Sequence, residues 1–196
     1  MKITRTVRER LAAIRALVFD VDGVLTEGQI IYSDAGTEAK AFDVKDGLGI
    51  RVAAGTELQI ALMTGRASSV VQRRARDLRV QYVLQRLGDK AAALRAFAAQ
   101  IRLPLERVAF MGDDLNDREA LRIAGLSIAP ADAAAEIRQM VDLVTDAPGG
   151  RGAAREAVEA ILRAQGRWEQ AVEQYLESLA ERERARREEE GRRPSG

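Results

Sequence analysis

Short apolar runs alternate with helix-like segments along most of the chain, and this alternation limits the possible folds more than any other feature of the sequence. An apolar run bounded by turn-forming residues predicts a buried strand, while the segments between the runs carry apolar residues at helical spacing. Strands that alternate with helices form a parallel sheet with helices packed on both faces. The sequence therefore predicts an α/β fold with three layers.

The pattern predicts six strands in one sheet and seven helices around it. The strands are expected at 16–20, 59–63, 82–84, 108–111, 126–128 and 143–145. The helices are expected at 5–13, 47–54, 67–78, 90–101, 116–124, 133–140 and 151–165. Pro104 and Pro130 are typical of the turns that follow a helix and a strand.

Two intervals depart from this pattern. Segment 28–43 has two strand-like halves around Asp34 and Gly36, which predicts a β-hairpin projecting from the sheet edge, with an irregular surface loop as the alternative. From Trp168 to Leu179 apolar residues recur at helical spacing, and the sequence beyond is almost wholly Glu and Arg, as in a solvated helix end. We therefore expect one domain over 1–166 and an amphipathic helix with a charged tail over 167–196.

The composition excludes several kinds of chemistry. None of the 196 residues is histidine or cysteine, so imidazole and thiolate catalysis and disulfide bonds are excluded. A net charge of +1 and 4% aromatic residues provide no surface for nucleic acid, and the glutamates at 188–190 interrupt the arginines near the C-terminus. No run approaches the ~20 apolar residues of a membrane-spanning helix. We expect a cytoplasmic chain with neither a membrane nor a nucleic acid as its partner.

Two clusters of carboxylates follow two of the predicted strands. Asp20 and Asp22 end the first strand, and the acidic run 112–117 follows the fourth. Because the carboxyl ends of parallel strands share one edge of the sheet, the two clusters predict a single site. Close carboxylates raise one another's pKa unless a cation lies between them, and Mg²⁺ prefers oxygen ligands, with Asp113 as the expected partner ligand. An aspartate can serve as metal ligand, nucleophile or proton donor, and the combination indicates phosphoryl transfer through an aspartyl-phosphate.

Two further residues suit a phosphate group. Thr64 follows the strand at 59–63 at a strand-to-helix turn, where its hydroxyl and nearby N–H groups can bind phosphoryl oxygens. Lys90 opens the helix at 90–101 and supplies a positive charge. Taken alone, each is typical of an ordinary turn or a solvent-facing helix start. The order of the motifs along the chain makes the pattern specific.

The four motifs in this order resemble those of the haloacid dehalogenase-like phosphohydrolases, and the resemblance covers residues 15–165. The motifs are Asp20-x-Asp22-Gly23, then Thr64, then Lys90, then the Gly-Asp-Asp-x-Asn-Asp run at 112–117. The resemblance implies a Rossmann-like three-layer parallel sheet. It also implies a Mg²⁺-dependent phosphatase.

The resemblance assigns a role to each motif residue. Asp20 would be the nucleophile and a Mg²⁺ ligand, while Asp22 would be the general acid and base and would bind the metal through its carbonyl oxygen. Thr64 and Lys90 would hold the phosphoryl oxygens. Asp113 would bind Mg²⁺ directly. Its outer or water-mediated partners would be Asp114, Asn116 and Asp117.

The spacing of the motifs limits which phosphatase subfamilies the chain can resemble. Too few residues separate Asp20 from Thr64, or Thr64 from Lys90, for a separate cap domain, so the chain is expected to be capless, and an open site favours closure by a neighbouring subunit. Segments 42–51, 63–66 and 148–153 resemble the 3-deoxy-D-manno-octulosonate 8-phosphate phosphatases. That group is tetrameric, and its hairpins form a central barrel.

This second resemblance implies a homotetramer whose substrate is a small phosphorylated sugar acid. A sugar acid needs cationic partners, and arginine binds a carboxylate bidentately. For Arg74, a solvated helix face is the alternative. The predicted substrate contacts are Asp22, Asp43, Val44, Lys45, Asp46, Gly47, Arg51, Arg66, Arg74 and Lys90.

The sequence departs from that group in two places, and other functions remain open. Lys45 stands where many members have arginine, and the charged end beyond Leu179 is longer than expected. One alternative is a phosphatase acting on a nonulosonate 9-phosphate or on another small phosphate ester. Another is a non-catalytic tetramerisation module, although the presence of Asp20, Asp22 and Asp113 argues against it.

Overall fold

The computed structural model describes residues 3–34 and 36–191, and a six-stranded parallel sheet forms its centre. The sheet order is β5-β4-β1-β6-β7-β8, and every predicted sheet strand is present to within one residue at its end. The strands are β1 (Ala16–Phe19), β2 (Ile31–Tyr32), β3 (Glu38–Ala39), β4 (Gln59–Met63), β5 (Tyr82–Leu84), β6 (Val108–Met111), β7 (Leu126–Ala129) and β8 (Leu143–Val144).

Helices cover both faces of the sheet. The helices are α1 (Arg5–Ala13), α2 (Val44–Ala53), α3 (Ser69–Leu78), α4 (Lys90–Gln100), α5 (Arg118–Ile123), α6 (Ala135–Met140), α7 (Ala153–Ala164) and α8 (Trp168–Gly191). Alternate residues of β1 point to opposite faces, so that Leu17 and Phe19 pack with α1, α2, α3 and α7, while Val18 packs with α4, α5 and α6. The predicted three-layer α/β fold is confirmed.

The predicted hairpin is also present. β2 and β3 pair antiparallel, with Ile31 opposite Ala39 and Tyr32 opposite Glu38, and the Ser33 N–H donates to the Thr37 carbonyl across the turn at 3.0 Å. Its strands are only two residues long, shorter than the predicted interval of 28–43. Among the described residues, the hairpin and α2 are the elements between β1 and β4, as expected of a capless chain.

Helix α2 begins three residues before its predicted start at 47. The Asp43 carboxylate accepts hydrogen bonds from the N–H groups of Lys45 and Asp46 and so caps the helix at an earlier residue. The sequence pattern was too weak to show this start, because α2 has buried residues on most of its circumference.

The boundary predicted after residue 166 falls in the turn between α7 and α8. Trp168 and Ala171 of α8 are nevertheless buried in the core, so the division into a domain and an appended helix stays a prediction. Three parts of that prediction lie outside the described residues, namely residues 1–2, Ala35 of the hairpin turn and 192–196 of the charged tail. No helix in the described part of the chain has the length and apolarity needed to cross a membrane.

Candidate active site

The candidate site lies at the carboxyl ends of the central strands. β1 lies between β4 and β6, and the chain crosses from β5 on one side of the sheet to β6 on the other, which opens a crevice at these strand ends. Asp20 follows β1, Thr64 follows β4, and Asp113 follows β6 after a glycine. The Asp20 N–H donates to the Met111 carbonyl at 2.9 Å, so sheet pairing fixes the backbone up to Asp20 itself.

Three carboxylates converge there. One oxygen from each of Asp20, Asp113 and Asp117 lies within 4.8 Å of the other two. Asp20 and Asp117 are buried, and Asp113 is half-buried. Gly23 makes room for this cluster, because a Cβ at that position would lie 2.0 Å from Asp113 Oδ2 and the residue has a φ of +90°.

The electrostatics of this cluster favour a cation. Burial raises the pKa of Asp20 to about 7, and the charge of Asp117 adds to the rise while Lys90 opposes it. Burial, with the charges of Asp117 and Asp114, also raises the pKa of Asp113 to about 7. Lys90 alone therefore does not offset burial and like charge, and without a metal cation Asp20 and Asp113 resist full ionisation. An all-oxygen set with excess negative charge fits a hard divalent cation such as Mg²⁺.

Lys90 supplies a fixed positive charge beside the cluster. Its Nζ lies 2.9 Å from Asp20 Oδ1 and 2.5 Å from Asp117 Oδ1, and the side chain is buried. Burial lowers the pKa of this ammonium, but the charges of Asp20 and Asp117 outweigh burial and raise it. The Asp89 side chain caps α4 through the Ala92 N–H and so places Lys90 at the first helical residue.

Asp117 belongs to the carboxylate cluster itself. The motif resemblance implies an outer or water-mediated role for it, and that role stays a prediction, but its carboxylate is one of the three in the cluster and also accepts from the Asp113 N–H at 3.1 Å. A single turn of 3₁₀ helix at Leu115–Asp117 folds it back toward the strand end. By contrast, Asp114 and Asn116 are exposed, and Asp114 caps that turn.

Thr64 and Asp22 lie at the edges of the cluster. Thr64 is buried in the turn after β4, and its Oγ1 accepts from the Arg66 N–H at 3.2 Å. Asp22 pairs with Lys40, which comes from the hairpin and which also lies 3.0 Å from Glu38 Oε1. Burial lowers the pKa of Lys40, but its bonds to these two carboxylates outweigh burial and raise it.

Known proteins match this chain along most of its length. A family model of haloacid dehalogenase-like hydrolases matches residues 81–155. The 3-deoxy-D-manno-octulosonate 8-phosphate phosphatase of Escherichia coli strain B / BL21-DE3 is 38% identical over 174 residues, covering 89% of this chain and 93% of the relative. The chain belongs to this phosphatase family. The family predicted from the four motifs is thus confirmed.

Solved structures of the family have the same fold. The phosphatase from Yersinia pestis superposes with a TM-score of 0.84 at 39% identity, covering 85% of this chain and 90% of that one. The phosphatase from Moraxella catarrhalis gives a TM-score of 0.85 at 37% identity, covering 88% of this chain and 99% of that one. The Moraxella structure is a complex with a magnesium ion, a phosphate ion and a KDO molecule.

The first turn of α2 holds several of the predicted substrate contacts. Val44 and Lys45 are exposed there, and Asp43 caps the helix. Asp46 is buried, and its carboxylate accepts from the N–H groups of Gly152 at 3.1 Å and Arg155 at 2.9 Å. In this arrangement Asp46 anchors α2 to the start of α7, and its oxygens are directed toward backbone rather than toward the crevice.

The three predicted arginines lie in different places. Arg74 reaches α2, where its Nη2 donates to the Asp43 carbonyl at 3.0 Å, and it packs against Gly47, at which a Cβ would lie 2.3 Å from Arg74 Nη2. Arg66 donates to the Tyr32 hydroxyl at 2.6 Å. Arg51 belongs to the last turn of α2 and donates to the Asp77 carbonyl at 3.0 Å, which places it away from the strand-end cluster of its own chain.

Sequence reasoning missed Lys40. The one available signal was the spacing of Glu38 and Lys40, since residues two apart on a strand lie on the same face. Nothing in the sequence showed that this face turns toward Asp22.

Proposed function

We propose that this protein is a magnesium-dependent phosphatase that hydrolyses 3-deoxy-D-manno-octulosonate 8-phosphate to the free sugar acid and inorganic phosphate. One observation carries the proposal, namely that Asp20 and Asp113 meet at adjoining strand ends, beside Lys90 at the start of α4, in a member of this phosphatase family. Thr64 follows the neighbouring strand β4. The complex of the Moraxella relative with magnesium, phosphate and KDO supports both the cofactor and the product.

Asp20 is the nucleophile in this proposal. Its carboxylate oxygen attacks phosphorus and forms an aspartyl-phosphate while the ester P–O bond breaks, and Asp22 gives its proton to the departing sugar alkoxide. Asp22 then takes a proton from water, which attacks the phosphorus of the aspartyl-phosphate. That step releases phosphate and regenerates both aspartates.

The charges around Asp20 suit this chemistry. Lys90, 2.9 Å from Asp20, and the Thr64 hydroxyl would hold the phosphoryl oxygens, so that charge developing on the transferred group would meet fixed donors. Mg²⁺ held by Asp20, Asp113 and the Asp22 carbonyl would neutralise the carboxylates and the phosphate. With that charge present, Asp20 would stay ionised although burial raises its pKa to about 7 in the metal-free cluster.

The sugar acid would be recognised outside the phosphate pocket. Lys45 and Val44 are exposed at the start of α2, and Arg74 donates to the Asp43 carbonyl at this end of the helix. Arg66 lies beside the hairpin, where it donates to the Tyr32 hydroxyl. Arg51 lies too far along α2 for its own site, so we propose that it serves a neighbouring subunit's site or the structure of α2.

We also propose a homotetramer in the cytoplasm. The hairpin exposes Ile30, Ile31 and Tyr32, and exposed neighbouring apolar side chains are typical of a subunit interface. The residues that the structure describes form no cap over the site, so a neighbouring hairpin would exclude water from it.

Measurements of activity on different phosphate esters distinguish two alternative functions from this proposal. A nonulosonate 9-phosphate presents the same phosphate and carboxylate on a longer chain, so it would use the same mechanism. A non-catalytic module would need none of Asp20, Thr64, Lys90 and Asp113, whereas all four are present and Lys90 pairs with Asp20 beside Asp113.

The test is phosphate release from octulosonate 8-phosphate and from a nonulosonate 9-phosphate, with and without Mg²⁺. We expect the octulosonate ester to be preferred, to require Mg²⁺, and to lose at least ~10³-fold in kcat in D20N, because the nucleophile is gone. D77N is a matched control, since Asp77 is exposed on α3, and it should keep full activity.

Each other outcome identifies what is wrong. Preference for the nine-carbon ester would overturn the substrate while keeping the mechanism. Activity that survives D20N would overturn the aspartyl-phosphate. Absence of release from every ester would favour the non-catalytic module.

A further inference from the structure

An ion pair between an enclosed lysine and a half-buried aspartate joins the hairpin to the loop that carries Asp22. Lys40 follows β3, and its Nζ pairs with Asp22 Oδ1 and lies 3.0 Å from Glu38 Oε1. The Lys40 side chain is 0% exposed, whereas lysine is almost never fully buried unless it is paired. Its burial against the acid and base of the proposed reaction requires an explanation beyond surface charge.

The orientation of the Asp22 side chain depends on a single partner, Lys40, whereas the position of Asp20 is set by several contacts. Asp20 is fixed by the pairing of its N–H with β6 and lies beside Lys90. Asp22 lies beyond the strand, and Lys40 is the one hydrogen-bond partner of its carboxylate among the residues that the structure describes. The two side-chain torsions of Asp22 would otherwise be free to rotate its carboxylate out of line.

The hairpin that supplies Lys40 is itself held at the site. Glu38 Oε2 lies 3.9 Å from Arg66 Nη2, and that same nitrogen donates to the Tyr32 hydroxyl at 2.6 Å. Both strands of the hairpin are therefore linked to the loop after β4. These contacts give Lys40 a defined position although β2 and β3 have only two residues each.

We propose that Lys40 is a positioning residue that orients the Asp22 carboxylate for proton transfer to the leaving group. This inference rests on the proposed function, in which Asp22 is the general acid and base. Lys40 itself does not touch the substrate, because its ammonium is enclosed between two carboxylates. It acts through Asp22: its ammonium bonds Oδ1, so Oδ2 is the oxygen left to carry the proton toward the leaving group. Proton transfer is efficient only when donor and acceptor are held at hydrogen-bond distance.

If Lys40 has this role, replacing it should lower the activity by a factor that depends on the leaving group of the substrate. A sugar alkoxide must be protonated as it departs, whereas p-nitrophenolate leaves without a proton. We expect K40M to lower kcat/KM for octulosonate 8-phosphate by about 10- to 100-fold, and for p-nitrophenyl phosphate by less than about threefold. K40R keeps the cation and should recover part of the loss.

A double-mutant cycle with D22N tests whether the effect of K40M on activity is exerted through Asp22. If Lys40 acts only through Asp22, K40M should change kcat/KM for octulosonate 8-phosphate by less than about twofold in the D22N background. T37A is the matched hairpin control, because it removes the 2.6 Å contact between the Ser33 and Thr37 hydroxyls at the turn without touching Lys40. It should show no dependence on the leaving group.

Three results would overturn the role of Lys40. They are an equal loss on both esters in K40M and K40R, a K40M effect of the same size in the D22N background, and a leaving-group dependence that T37A reproduces. Circular dichroism and thermal unfolding of each variant would identify a folding defect. Inactivity of the wild type on both esters would instead overturn the proposed function.

Discussion

At the residue scale, Asp113 shows how the proposed metal site can oppose stability. It lies in a cluster with Asp20 and Asp117, and burial with like charge raises its pKa to about 7. D113N removes one negative charge, so we expect the metal-free protein to gain on the order of 1 kcal/mol in free energy of unfolding. Thermal unfolding with and without MgCl₂ should show a rise in Tm for the wild type and none for D113N.

The neighbouring Asp114 gives the control for that prediction. Its side chain is exposed and caps the turn at Leu115–Asp117, so D114N should keep the Mg²⁺-dependent rise in Tm. A rise that persists in D113N would show that the cation binds elsewhere.

Asp142 lies away from the candidate active site, and it should make the stability of the fold depend on pH. Burial opposes its ionisation, but hydrogen bonds from the Ser127 N–H and hydroxyl and from Arg10 outweigh burial and lower its pKa. Because the folded pKa lies below the unfolded value of about 4, the stabilisation is complete above pH 4 and is lost as the pH falls through the folded pKa.

We therefore expect D142N to lose about 1 kcal/mol in free energy of unfolding at pH 7, and the difference from wild type to shrink below pH 4. Urea unfolding across this pH range measures it. E119Q is the control, because the Glu119–Arg122 pair is exposed at both ends and should contribute almost nothing at any pH. A difference that stays constant down to pH 2 would contradict the assigned cause.

At the scale of the elements, the turn at 148–152 supports the loop after β1. The Gly150 N–H donates to the Val24 carbonyl at 2.8 Å, and a Cβ at Gly149 would lie 1.8 Å from the Gly23 carbonyl oxygen. G149A must therefore push two backbone segments apart. We expect a loss of about 1–3 kcal/mol in free energy of unfolding and a fall in kcat, because Asp20 and Asp22 precede Gly23.

G88A is the matched control for this prediction. A Cβ at Gly88 would meet no atom within 4 Å, so its effect on unfolding should stay within about 0.5 kcal/mol. A mild effect of G149A, equal to that of G88A, would show that the 148–152 turn does not constrain the loop.

Helix α8 has a packed first part and an exposed second part. Trp168 and Ala171 are buried, whereas Arg182 bonds only within the helix, to Ser178. Burial lowers the pKa of Arg51, and the charges of Arg79 and Arg182 lower it further, so the second part brings like charges together. Truncation after Leu179 should therefore change the free energy of unfolding by less than about 0.5 kcal/mol.

Truncation after Gly166 is the comparison, since it removes Trp168 and should cost about 3 kcal/mol or more. Both chains can be measured by urea unfolding. A large loss on truncation after Leu179 would show that the charged part of α8 supports the fold.

At the scale of the whole molecule, the proposed tetramer depends on the hairpin. Ile30 and Ile31 are 42% and 49% exposed, and they would be buried between subunits. I31E should therefore give a smaller species in sedimentation velocity and a higher KM, since a charge cannot be buried there without a partner. L176E places the same change on an exposed part of α8 and should leave the assembly intact. A wild-type monomer would contradict the proposal directly.

The sequence was sufficient to predict the helices and strands and to predict which edge of the sheet carries the candidate site. Strand and helix periodicity is local, so the strands at 59–63 and 82–84 could be placed without knowing their neighbours. The rule that parallel strands bind ligands at their carboxyl ends then brought Asp20, Thr64 and Asp113 to one edge. The start of α2 was misplaced because its cap, Asp43, acts through side-chain geometry.

What the sequence alone determined is the three-layer α/β fold and the motif order that marks the phosphatase family, because both follow from local patterns along the chain. Only the tertiary structure decided that Asp117 joins the carboxylate cluster, that Arg51 turns away from it, and that Lys40 meets Asp22. The physical reason is that these contacts depend on how separate elements pack. The direction in which a side chain points across such an interface is not encoded in the spacing of residues along either element.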